Sequence, residues 1–170
     1  MAARSPERED LIDKLRSHHA ELVAVVRRRA ESELASPPAA GEWTALQQLE
    51  HHLLVEDVWA KAATRAAFED EPDLAELWAT YRRVEEQNPF PPPLETRTLE
   101  ALLQAIEARH SETLALVESI PEPALERRGR NTGFGNLTVL QMLRAVYRHT
   151  RMHIDQIEGR EPSFQPRRVS

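Results

Sequence analysis

The chain has 170 residues, 41% of them hydrophobic and 29% charged, and carries a net charge of −6 at neutral pH. It is too apolar for a disordered chain and too polar for a membrane protein, and its length fits a single domain. Cysteine is absent, which excludes disulfides, thiolate clusters and a protein-borne thiol nucleophile; the acidic balance argues against a nucleic-acid partner.

Residues 1–10 have no apolar stretch behind their charges, so no signal peptide is read. The longest aliphatic run, 22–26, is too short to cross a bilayer. No membrane contact and a cytoplasmic location are therefore expected. Proline inside a helix costs about 3 kcal/mol and glycine about 1 kcal/mol. Intervals free of both, at 7–35, 44–69, 73–87, 98–120 and 137–158, are the predicted helices.

Their starts carry capping chemistry. Ser5-Pro6 supplies an N-cap oxygen and a first-turn proline, and both Thr44-x-x-Gln47 and Thr138-x-x-Gln141 are capping boxes. Gly159 marks the last stop. Apolar residues recur at helical spacing: Leu11, Leu15 and Leu22 in the first interval, Leu102, Leu103 and Ile106 before Val117, and Val139, Leu143 and Val146 in the last. No interval alternates β-branched residues, so no strand is predicted.

The expected architecture is all-α: a four-helix bundle with a long crossover and a short extra helix between its second and third main helices. Residues 85–97, rich in proline, read as a stiff extended part of that crossover. Residues 133–136, with two glycines, read as a flexible entry loop. The domain is taken as 1–160 and residues 161–170 as a flexible tail. Trp43, Trp59 and Trp78 are assigned to packing.

Seven histidines carry what chemistry the sequence shows. His149 and His153 are four apart, one turn along a helix face, as when one helix offers two imidazoles to one ion. Thr150 follows His149 where a zinc protease motif needs glutamate, which excludes that class. A di-iron bundle needs two Glu-x-x-His motifs, and only Glu107-x-x-His110 is present. His110 has polar sequence neighbours and reads as a surface or linker-edge residue. His18 and His19 are likewise expected to be exposed.

His51 lies about 10 Å beyond the Thr44 cap, while His153 and His149 lie about 9 and 15 Å before Gly159. If the second and last main helices run antiparallel, the three imidazoles reach one level. His52 is an alternative to His51, because that helix is apolar on most sides and periodicity does not choose between them. Three neutral imidazoles on a divalent ion leave coordination positions open, the pattern of a catalytic site. Glu56 is read either as a carboxylate orienting an imidazole or, at about three to one, as a solvated surface residue.

The segment Gly41-Glu42-Trp43-Thr44-Ala45-Leu46-Gln47-Gln48-Leu49-Glu50-His51, continuing to Val55-Glu56, resembles the second-helix motif of the DinB/YfiT-like metal-binding superfamily. There the ligand histidine lies eight residues after the tryptophan, a count that selects His51. Residues 137–157, with His149-x-x-x-His153 and the trailing Gln156-Ile157, resemble that family's last helix. His52 stands where an aliphatic residue is usual.

The resemblance implies a four-helix bundle, commonly a homodimer, whose three histidines hold a divalent ion, zinc or nickel ahead of iron or manganese. It also implies chemistry on a small-molecule substrate. Relatives include transferases and isomerases that use a low-molecular-weight thiol such as bacillithiol, mycothiol or glutathione. The expected function is thus a metal-dependent thiol S-transferase acting on a small electrophile. A metal-dependent hydrolase and a non-catalytic, stress-related metal-binding bundle are the alternatives.

Overall fold

In the computed structural model, which describes residues 5–87 and 98–164, the chain forms six helices and one hairpin. These are α1 (Pro6–Arg27), α2 (Glu31–Leu34), α3 (Ala45–Phe68), α4 (Ala75–Gln87), α5 (Leu99–Ser119), a 3₁₀ turn (Glu122–Glu126), β1 (Arg128–Thr132), β2 (Gly135–Thr138) and α6 (Val139–Ile157). The caps read from the sequence are formed. Ser5 Oγ accepts from the Arg8 amide at 3.2 Å. At Thr44 and Thr138 the hydroxyl and the glutamine three residues on satisfy reciprocal backbone donors.

Two features depart from the sequence reading. The first interval is not one helix: α1 ends at Arg27, and the short α2 returns Leu34, fully buried, to the interior. Burial of that leucine outweighs continuation of a polar helix into solvent. The second departure is the antiparallel pair β1–β2, in register at Arg128↔Thr138, Gly129↔Leu137 and Thr132↔Gly135.

The predicted entry loop is therefore the hairpin turn. Thr132 Oγ1 donates to the Gly135 carbonyl at 2.6 Å and accepts from the Phe134 amide at 3.1 Å. Asn131 and Gly135 adopt positive φ, and a side chain on Gly129 would collide with Leu74 and Met142. Turn chemistry and close approach, rather than alternation, define these strands, which is why a periodicity reading passes over them.

The main helices α1, α3, α5 and α6 bury two apolar clusters. One gathers Leu11, Leu15, Val58, Ala63, Val117 and Leu143 with their neighbours; the other gathers Leu22, Val26, Leu49, Leu103, Ile106 and Ile154. Each helix crosses from one cluster to the other. α1 and α6 run in one direction and α3 and α5 in the opposite one, so α3 and α6 are antiparallel as required above. Because α3 and α5 are parallel, the chain must return along the bundle between them, and α4 forms part of that crossover. Residues 88–97 of the segment predicted as extended lie outside the described residues.

Between the two clusters lies a polar layer. His18 and His19 of α1, His51, His52 and Glu56 of α3, His110 and Thr113 of α5, and His149, Thr150 and His153 of α6 occupy it. All seven histidines fall at this one level.

At the far end of the bundle, buried Arg8 joins α1 to the end of α5. Its guanidinium donates to the carbonyls of Val117 at 2.8 Å and Ile120 at 2.5 Å and pairs with Glu122 at 2.9 Å. Arg8→Ala would strand helix-terminal carbonyls, with an expected loss of about 2–3 kcal/mol in a urea unfolding titration. A loss below about 0.5 kcal/mol would show the clamp to be energetically idle.

Candidate metal centre

α3 and α6 bring His51, His149 and His153 together: one ring nitrogen from each lies within 4.8 Å of the others, and all three residues are buried. His51 Nδ1 stands 3.2 Å from His153 Nε2. A neighbouring hydrogen bond assigns the His153 tautomer. His153 Nδ1–H donates to Gln156 Oε1 at 3.0 Å, while His51 Nε2 is hydrogen-bonded to the Tyr81 hydroxyl at 3.0 Å, a group that can donate or accept. His153 Nε2 therefore turns a lone pair towards His51 Nδ1. His149 Nε2 is buried with no hydrogen-bond partner among the described residues.

A buried ring nitrogen without a partner, beside two further imidazoles, is costly, and a cation held between the three rings would satisfy it. Burial, followed by repulsion from neighbouring imidazoles, holds the pKa values of His149 and His153 well below the usual 6.5. Both rings are thereby kept in the neutral form that binds metal. The donor set fits a divalent ion that accepts nitrogen ligands, with zinc and nickel among the candidates.

His52 is also buried, but it belongs to a different group. Its Nε2 is 3.4 Å from Glu56 Oε2, and Glu56 Oε1 is 3.8 Å from His110 Nδ1. Burial pushes the His52 pKa down to about 4, against the opposing attraction of Glu56. For Glu56, burial would raise the pKa, but His110, the His52 charge and Thr113 together hold it below the ordinary carboxylate value.

The sequence readings of His110 and Glu56 as surface residues are therefore corrected: they are 6% and 2% exposed. His19 is also withdrawn from solvent. Its ring stacks on His110 with centroids 3.9 Å apart, and its Nε2 meets Glu107 at 2.6 Å. His18 is half-buried, with Nδ1 3.0 Å from the Tyr147 carbonyl oxygen. Mutual pairing in the polar layer explains these placements; each side chain has at least one partner on another helix, which its own sequence neighbours do not report.

Beside the histidines opens a cavity of about 430 Å³ that reaches His51 and His149. Trp43, Trp59, Trp78, Tyr81, Phe134 and Phe164 form much of its wall. The tryptophans do pack, as expected: Trp59 and Trp78 meet edge to face at 4.7 Å and Trp43 meets His51 at 5.2 Å. They also line this space, which sequence alone did not reveal. Tyr81 of α4 carried no sequence signal, whereas Gln156 was visible as part of the last-helix motif.

Part of the segment expected to form a tail touches the cavity. The Ser163 amide and hydroxyl donate to Asp155 Oδ2 at 3.0 and 2.7 Å, and Phe164 joins the wall. Burial would raise the Asp155 pKa, but hydrogen bonds from Arg151, Ser163 and Arg160 hold the carboxylate well below its usual range. Residues 165–170 lie outside the described residues.

A family model described as the DinB superfamily matches residues 14–157. Among solved structures, YfiT from Bacillus subtilis is similar with a TM-score of 0.68 and 18% identity, over 94% of this chain and 89% of that one. It is described as a probable metal-dependent hydrolase with an unusual four-helix bundle topology. TT2238, described as a four-helix bundle protein, gives a TM-score of 0.65 and 24% identity over 89% of this chain and 98% of its own. No curated protein matches. Among the described residues no helix is long and apolar enough to cross a membrane.

Proposed function

The chain belongs to the DinB superfamily, and from that premise we propose that it is a divalent-metal-dependent transferase joining a low-molecular-weight thiol to a small electrophilic molecule. The observation that carries this reading is the aromatic-walled cavity that ends on His51 and His149. A centre serving only to hold the bundle together would have no need of such an opening.

His51, His149 and His153 would hold the ion, with Gln156 fixing the His153 tautomer and the Tyr81 hydroxyl able to accept from His51 Nε2 once Nδ1 is engaged. A divalent ion so placed would supply the charge that lowers the pKa of a thiol brought to it. The chain has no cysteine, so the sulfur must come from a dissociable thiol. That sulfur gives the electron pair for a new carbon–sulfur bond; the leaving group departs with its own bonding pair, and the thiol proton passes to solvent. The aromatic wall excludes water from the electrophile and holds its apolar body.

Hydrolysis is the second reading, supported by the description of YfiT. It ranks lower because no carboxylate lines the cavity among the described residues to take a proton from water. We further propose a homodimer.

The test is to load the protein with zinc or nickel and supply glutathione, bacillithiol and mycothiol in turn with a chlorinated dinitrobenzene. A conjugate that needs metal and disappears in His149→Ala is expected. No conjugate with any thiol, together with turnover of activated esters, would replace the transferase with a hydrolase.

A further inference from the structure

Among the described residues, the charged side chains on the cavity wall are both cationic: Arg82 of α4 and Arg148 of α6. Other arginines are matched with acids, for example Arg65 with Glu69, Arg109 with Asp57, and Arg151 with Glu21 and Asp155. Among the described residues no carboxylate pairs with Arg82 or Arg148, and none lines the cavity. Arg148 instead lies over the Phe164 ring, 5.7 Å from its centroid. Both side chains are exposed and so belong to the rim, while Trp59 and Trp78 lie deeper, each 5% exposed.

In a chain of net charge −6, a cavity free of acids among the described residues and edged by two guanidinium groups is a local reversal of sign. Such an arrangement is selective in two ways. The aromatic interior favours a flat apolar body over a flexible polar one. The guanidinium planes favour a carboxylate, which accepts paired hydrogen bonds from them, over a neutral group of the same shape.

We propose that the cavity takes a small aromatic carboxylate, its ring between Trp59, Trp78 and Phe134 and its carboxylate against Arg82 and Arg148. This rests on the reading of the cavity as the substrate site, and it narrows the electrophile to an anionic aromatic acid. The anion preference resides in the arginines and does not require the ion.

Naphthoate and its neutral primary amide, naphthamide, are the probes. Each is titrated by calorimetry into the chelator-treated full chain and into the zinc-loaded chain. In both forms naphthoate is expected to bind about tenfold or more tightly than naphthamide. Arg82→Gln and Arg148→Gln should each weaken naphthoate several-fold and leave naphthamide unchanged. The double variant should erase the preference, and Arg82→Lys with Arg148→Lys should restore part of it. Equal affinity of acid and amide for the chelated protein, or a preference that survives the double glutamine variant, overturns the proposal. If the preference is present but zinc-loaded protein makes no thiol conjugate, the transferase reading fails alone and the anion site stands.

Discussion

Metal content is expected to fall from about one equivalent to background in His149→Ala and His153→Ala, and in His51→Ala, while His52→Ala retains it. The converging nitrogens belong to the first three residues, whereas His52 faces Glu56. Loss of a hydrogen-bond partner to a ligand typically weakens metal binding 10–100-fold. Loss of a ligand should therefore cost at least about a hundredfold, and Gln156→Ala, which frees His153 Nδ1, about tenfold. Elemental analysis of untagged protein, followed by competition with a coloured chelator, reads both numbers. A His52→Ala variant that loses the ion while His51→Ala keeps it would move the centre by one residue.

The metal-free protein should become steeply acid-labile below pH 6.5. His52, His149 and His153 have folded-state pKa values below the ordinary histidine value, so between the two values the unfolded chain binds protons that the folded chain does not. Stability then rises with pH: the contribution is complete above about pH 6.5 and is lost as pH falls towards the folded pKa. For His52, with a window from 6.5 down to about 4, this amounts to about 3 kcal/mol.

Glu56 and Asp155 shift in the same direction, through stabilisation of the charged form rather than the neutral one, with the same consequence at lower pH. Their pKa values are depressed in the fold, so their contributions are present above the ordinary carboxylate range and disappear below it. Urea titrations at several pH values from 7.5 to 4.5 should show a midpoint that drops throughout, and His52→Leu should flatten the upper part of the slope. Added zinc should shift the drop to lower pH, because bound imidazole resists protonation until the metal leaves. A chelated protein with constant stability from pH 7.5 to 5 would mean that these rings titrate normally.

The bundle was legible because its signals are local. Proline and glycine delimit α3, α5 and α6 to within a residue or two, and the threonine–glutamine boxes fix two starts. That the second and last helices bring histidines to one level could be read by counting rise per residue from caps on antiparallel packing, while the choice of His51 over His52 rested on the family resemblance. His110 and Glu56 escaped that arithmetic. Each has polar sequence neighbours or an ambiguous helical face, and the contact between them joins two helices. The hairpin escaped because Arg128–Thr132 has no alternating apolar residues; a close backbone approach at Gly129 and positive φ at Asn131 shape it. The cavity wall was illegible for a third reason: α3, α4, the hairpin, α6 and Phe164 each contribute only a part of it.

The parallel course of α3 and α5 has a wider consequence. It obliges the chain to make a long return, and that return carries Trp78, Tyr81 and Arg82 to one side of the opening, while the hairpin carries Phe134 to another. The imidazoles sit on the rigid rods, and much of what would greet a visiting molecule sits on the connections. Selectivity can therefore be rewritten by exchanging connecting segments while the centre keeps its geometry, so that one scaffold could host many reactants without relearning how to hold its ion.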